Sequence, residues 1–183
     1  MADRVARYAE VSLTADLSHL SDGDRQAIGL LIDAGQIIDG LFWQQVWGDR
    51  AALLAQAGDD AAARYIAINY GPWDLLDGDK PFVDGVGQRP PGARYYPADM
   101  SREEFAAAEL PGKDSQYTLV QRDAAGKLVT VPYSVAYKAE LEQVASLLRQ
   151  AADVASDAAF SHYLRLRADA LLSDDYQPSD MAW

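Results

Sequence analysis

Between Ser21 and Gly48 the apolar residues recur with a helical period, and this run constrains the chain more than any other. Ile28, Leu31, Ala34, Ile38, Leu41 or Phe42, and Val46 follow at steps of three or four, which places them on one face of an α-helix. Ser21 stands ahead of the run with Asp24 in capping-box position. Phe42, Trp43 and Trp47 add bulk near the end, and Gly48 offers a stop. A helix this long with one apolar face must bury it against other elements.

Those elements follow in order. A short helix carrying Leu53 and Leu54 is expected after Asp49, broken by Gly58. Asp59 or Asp60 can cap another, with Tyr65, Ile66 and Ile68 on its apolar side and Gly71 and Pro72 ending it, the glycine suiting a left-handed cap. Ser101 and Glu104 form a second capping box. "YTLVQRDAAGKLVTVPY" reads as a β-hairpin turning at "DAAG". Ser134 and Ser156 are placed to cap two further helices, one with Tyr137, Leu141, Val144 and Leu148 on its face, the other with Phe160, Tyr163 or Leu164, Arg167 and Leu171. The residues before Ser21 read as extended or irregular. The expected fold is α+β and mainly helical: about five to six helices, one β-hairpin, and a long irregular Gly/Pro/aromatic loop from Gly71 to Met100. The chain, residues 1–183, is read as a single domain.

Composition narrows the function. Apolar residues make up 49% of the 183 residues, enough for a core. With 28 acidic and 16 basic side chains the formal net charge is −12, which repels phosphate and argues against nucleic acid. Cysteine is absent, so disulfides, thiolate catalysis and cysteine-ligated zinc are excluded. The first twenty residues lack the apolar core of a signal peptide, and no segment has the run a membrane span needs. The expected location is cytoplasmic, or periplasmic if a signal peptide has been removed.

The chemistry-bearing residues do not assemble into a known catalytic motif. His19 and His162 are the only histidines; the first reads as a pre-helix surface residue and the second as a surface or satisfied histidine within a helix. There is no His-Glu-x-x-His pair, nucleophile elbow or Walker loop. "GVGQRPPG" lacks the preceding strand of a nucleotide loop, and its prolines remove amide donors. The glutamate-rich metal helix of Nudix hydrolases is absent too. Asp74, Asp77, Asp79 and Asp84 do not follow EF-hand spacing, and aspartates in such turns usually bond local backbone.

Three long segments nonetheless form a familiar whole: "LTADLSHLSDGDRQAIGLLIDAGQIIDGLFWQQVWGD", "INYGPWDLLDGDKPFVDGVGQRPPGARYYPADM" and "LRADALLSDDYQPSDMAW". Together they resemble the N-terminal part of bacterial dipeptidyl-peptidase III-like zinc metallopeptidases, some relatives of which carry the label Nudix or MutT hydrolase. The resemblance implies a two-lobed enzyme, with zinc held by a His-Glu motif and a downstream glutamate in the remainder of the same polypeptide. It implies no cofactor in this chain itself. Short peptides are the implied partners, together with that remainder; a homodimer through exposed hairpin edges is a further expectation.

The same resemblance gives the stretch "NYGPWDLLDGDKPF" a role. Family members carry an Asn-x-Gly-Asn-Tyr run followed by Gly-Asp-x-Lys-Phe near the substrate cleft. Here the cleft candidates are Asn69, Tyr70, Gly71, Trp73, Asp79, Lys80 and Phe82, with Pro72 and Pro81 departing from the pattern. No catalytic and no metal-binding residue is assigned. The functions in play are a noncatalytic portion of a zinc-dependent dipeptidyl peptidase, a freestanding peptide-binding or interaction module, and a Nudix-type hydrolase.

Overall fold

Helix α2 (Asp22–Val46) begins as its cap requires: the Asp24 amide donates to Ser21 Oγ at 3.0 Å, and the Ser21 hydroxyl returns a bond to the Asp24 carboxylate at 2.6 Å. In the computed structural model, which describes all residues 1–183, it is preceded by one helical turn, α1 (Ala2–Val5). It is followed by α3 (Arg50–Ala55), α4 (Asp60–Asn69) and α5 (Arg102–Ala107). Strands β1 (Trp73–Asp74) and β2 (Lys80–Pro81) pair antiparallel within the long loop, with Trp73 opposite Pro81. A second antiparallel pair, β3 (Thr118–Arg122) and β4 (Leu128–Pro132), precedes α6 (Tyr133–Ala136), α7 (Lys138–Val154), α8 (Ala158–Ser173) and α9 (Gln177–Ala182). The mainly helical α+β class stands as expected. The helices number nine because α1, α6 and α9 are one or two turns long, too short to leave a periodic signal.

The chain divides into two compact units. One comprises Met1–Thr14 and Phe42–Ala106, the other Ala15–Leu41 and Ala107–Trp183.

The second unit is built on α2, α7 and α8. Its core is rich in small residues: Ala27, Ala34, Ala145, Ala151, Ala152 and Ala168 pack with Val144, Leu148 and Leu164. Short side chains let helix axes approach closely, and each buried leucine contributes about 1.5–3 kcal/mol. Gly23 has no room for a side chain, since a Cβ there would run into the Val154 carbonyl oxygen. At Gly29, Gly35 and Gly40 on the same helix a Cβ would meet nothing within 4 Å. The ion pairs Arg149–Asp169 (2.7 Å) and Arg165–Asp153 (2.6 Å) join α7 to α8. Both are exposed and add at most about 1 kcal/mol each. The hairpin turns where read: the Asp123 carboxylate accepts from the amides of Ala125 and Lys127, both at 2.9 Å. Leu119, Val120 and Leu128 are its buried side chains.

Two capping expectations are corrected here. Ser156 does not cap α8; Asp157 does, accepting from the Phe160 amide at 2.7 Å, while Ser156 turns to Asp24. Ser134 lies inside α6 and gives its amide and hydroxyl to Asp174. In each case the serine hydroxyl finds a distant carboxylate, a stronger acceptor than a neutral group.

The first unit has a separate core of Trp43, Leu53 and Ile66, with Trp47, Leu54, Tyr70, Phe82 and Val83 packed on it. Helix α4 ends as expected near Gly71, but the left-handed cap is Tyr70 (φ 50°, ψ 36°). Its ring lies 5.0 Å from Phe42 and 5.1 Å from Trp43. That aromatic packing offsets the cost of about 1–2 kcal/mol for a side chain in this conformation.

Candidate functional site

The loop from Gly71 to Met100 is built around Asp74, a carboxylate only 1% exposed. Its backbone carbonyl accepts from the amides of Asp77 (3.1 Å) and Asp79 (3.0 Å), and its side chain accepts from the Leu76 amide at 3.0 Å. Arg4 and Arg7, from the start of the chain, bring their guanidiniums to within 3.3 and 3.8 Å of the same carboxylate. The aspartate-in-turn reading of this segment therefore holds for Asp74. A buried charge is tolerable only when paired and bonded, and these contacts meet that need.

Around this hub the apolar candidates are committed to packing. Trp73 is 5% exposed, donates Nε1–H to the Gly87 carbonyl at 2.9 Å, and meets Trp47 edge-on at 5.3 Å. The Phe82 ring sits 4.8 Å from Tyr65, and its amide bonds the Pro72 carbonyl. Asn69 is buried; its Nδ2 donates to the Tyr65 carbonyl (2.9 Å) and its Oδ1 accepts from the Leu75 amide (3.0 Å). Gly71 is enclosed behind Trp73. Tyr65 itself is fully buried, and its hydroxyl lies near Asp74 and Asn69 without a hydrogen bond of good geometry. Burial, with Asp74 nearby, pushes its pKa up to about 12.

Asp79 and Lys80 lie elsewhere. They line a cleft of about 740 Å³ together with Gln88, Arg89, Tyr95 and Tyr96, a size within the range of ligand sites. Asp79 pairs with Arg89 at 2.9 Å and Lys80 with Asp77 at 2.8 Å, and that bond holds the Asp77 carboxyl below its usual range. The Tyr95 hydroxyl reaches Gln45 Oε1 at 3.1 Å, and burial raises its pKa. The Arg94 amide donates to the Gln45 carbonyl at 3.0 Å, fixing the turn to α2. One edge of Trp73 borders a neighbouring cavity of about 780 Å³ with Trp47 and Arg94.

The seven candidates thus separate: Asn69, Tyr70, Gly71, Trp73 and Phe82 are taken up in packing, and only Asp79 and Lys80 line this cleft. Arg89, Tyr95 and Arg94 were not singled out from sequence. Their signal was the run "RPPGARYY", in which arginines and tyrosines flank a rigid Pro-Pro-Gly turn.

The cleft offers cations, one carboxylate, amide groups and tyrosine rings, suited to holding an extended polar backbone. The donors do not fit a zinc site, because no group of three His, Asp or Glu side chains converges anywhere in the chain. No helix is long and apolar enough to cross a membrane.

The fold that carries this cleft is similar to part of solved dipeptidyl-peptidase III structures. The chain superposes over its full length on part of the Caldithrix abyssi dipeptidyl-peptidase III, with a TM-score of 0.92 and 35% identity, covering 37% of that chain. The enzyme from Corallococcus sp. strain EGB gives 0.91 and 35%, again over the whole of this chain and 36% of the other. Nudix hydrolase 3 of Arabidopsis thaliana is 27% identical over 242 residues, spanning 98% of this chain and 31% of that protein. No protein-family model matches the chain. The chain spans about a third of the length of each protein it matches.

Proposed function

We propose that the chain is a noncatalytic N-terminal portion of a zinc-dependent dipeptidyl peptidase, contributing to the lobe that does not hold zinc and to the cleft that grips short peptides. The observation that supports this most is the whole-length match to two bacterial dipeptidyl-peptidases III. Asp79, Lys80 and Arg89 would bond the peptide backbone or its charged ends, on a loop kept in place by Asn69, Tyr70, Gly71, Trp73 and Phe82. Zinc and the hydrolytic step belong in this reading to the remainder of the polypeptide. A cytoplasmic location and a homodimer are parts of the same proposal, open to cell fractionation and to sedimentation.

The test is to express the entire open reading frame beside residues 1–183 and assay both with dipeptidyl-arylamides. Activity and stoichiometric zinc in the longer protein alone are expected. A reading frame without any His-Glu motif would leave the freestanding peptide-binding module. A Nudix-type reading has the Arabidopsis relative's name in its favour, but that chemistry needs a carboxylate cluster, which this chain lacks.

A further inference from the structure

A second cleft, of about 540 Å³, opens on the other side of the Pro90–Tyr96 turn and uses none of the seven candidate residues. Its wall is apolar: Pro90, Pro91, Pro97, Met100, Tyr96 and Phe105. Tyr96 and Phe105 meet edge to face, with centroids 5.7 Å apart. The turn beneath them is fixed, the Ala93 amide bonding the Pro90 carbonyl (3.1 Å) and the Tyr95 amide the Gly92 carbonyl (3.1 Å). Gly92 is needed there, because a Cβ would fall 2.8 Å from Tyr96 Cδ2. The bare glycine leaves room for the tyrosine ring to form one side of the cleft. Arg102 is the one charged side chain on the wall. It is exposed, and its guanidinium is engaged in no ion pair.

We propose that this cleft binds a small apolar carboxylate, its aromatic or branched body between Pro91, Tyr96 and Phe105 and its carboxylate on Arg102. A fork of guanidinium donors beside an apolar, ring-lined hollow matches that amphipathic anion. On a chain of net charge −12, a lone cation at such a mouth selects the anion locally against the overall field. The C-terminal residue of a peptide and a free arylalkanoate share this chemistry. The inference does not depend on the peptidase reading, since it rests on cleft geometry alone.

The experiment is calorimetric titration of the 183-residue protein with N-acetyl-phenylalaninate, its carboxamide, N-acetylglycinate and 3-phenylpropionate. The carboxylate is expected to bind about ten-fold more tightly than the carboxamide, and N-acetylglycinate not measurably. Arg102→Gln should abolish the difference between acid and amide, while Phe105→Leu weakens both. Tighter binding of N-acetyl-phenylalaninate than of 3-phenylpropionate assigns a peptide C-terminus; equal binding assigns a free aryl acid. Acid and amide binding alike, an unchanged Arg102→Gln, or no binding of any probe to a folded protein overturns the proposal.

Discussion

Ser156 donates both its amide and its hydroxyl to the carboxylate of Asp24, each at 2.8 Å, across 132 positions of sequence. With the Ser21 hydroxyl added, the same carboxylate caps α2 and ties it to the entrance of α8. These bonds, that of the Ser156 amide first, depress the Asp24 pKa from 3.8 to about 2. A depressed carboxylate stabilises the fold above its unfolded value and loses that contribution as pH falls through the folded one. We therefore expect the melting temperature of the wild type to fall between pH 4 and pH 2 more steeply than that of Asp24→Asn, with the variant already lower at pH 7. Parallel curves in thermal scans across that range would show that the network contributes nothing to stability.

Asp74 gives a second expectation. The carboxylate is buried while Arg4 and Arg7 remain about half exposed, so the full cost of an unpaired interior charge does not apply. Replacing both arginines by glutamine should destabilise the first unit by about 1–3 kcal/mol. Asp74→Asn in that background should recover part of the loss, because the charge that lost its partners is gone. Denaturant unfolding of the single, double and triple variants measures the coupling.

The packed candidates and the two that line the 740 Å³ cleft should respond differently. Trp73→Ala removes a buried ring and strands the Gly87 carbonyl, costing about 3–5 kcal/mol. Asp79→Asn, which keeps a side chain tolerant of φ 58°, and Lys80→Gln should change stability by less than about 0.5 kcal/mol. In the longer protein these two should instead raise KM for peptides. Unchanged peptide kinetics in a folded enzyme would remove both residues from the cleft assignment.

Tyr65→Phe removes a buried hydroxyl without a hydrogen bond of good geometry. The variant should be as stable as the wild type, or more stable by about 1 kcal/mol. Because burial raises the folded pKa from 10.0 to about 12, the neutral phenol leaves stability unaffected below pH 10, and stability falls as pH rises from there through 12, where the unfolded chain ionises more readily than the folded one. Alkaline unfolding over this interval should accordingly be less steep in Tyr65→Phe. A loss of more than about 1 kcal/mol at pH 7 would show that the hydroxyl is bonded after all.

Much of this fold was readable because local signals and burial agree. The Ser21, Asp59 and Ser101 caps lie where the residues put them, and Leu141, Val144 and Leu148 are buried on one face of α7. Legibility failed where a side chain's partner is remote. Nothing near Ser156 announces Asp24, and nothing near Asp74 announces Arg4. The candidate site was half legible for the same reason. The stretch after Asn69 drew attention through its composition, but only three-dimensional packing separates Trp73, turned inward, from Lys80, turned outward. Arg89 and Tyr95 carried no periodic or spacing signal, since a proline-rich turn aims each one individually.

Helix α2 holds four glycines that are alike in sequence and unlike in circumstance. A Cβ at Gly23 would run into the Val154 carbonyl, whereas one at Gly29, Gly35 or Gly40 would meet open space. Among sequence relatives, then, the first should be nearly immutable and the other three free to drift, most profitably to alanine, which favours a helix over glycine by about 1 kcal/mol per site. A saturation scan of this helix should reproduce that contrast, with every substitution at Gly23 depleted. If the longer protein tolerates less at Gly29, Gly35 or Gly40 than the isolated chain does, the difference maps where the remaining polypeptide lies against it.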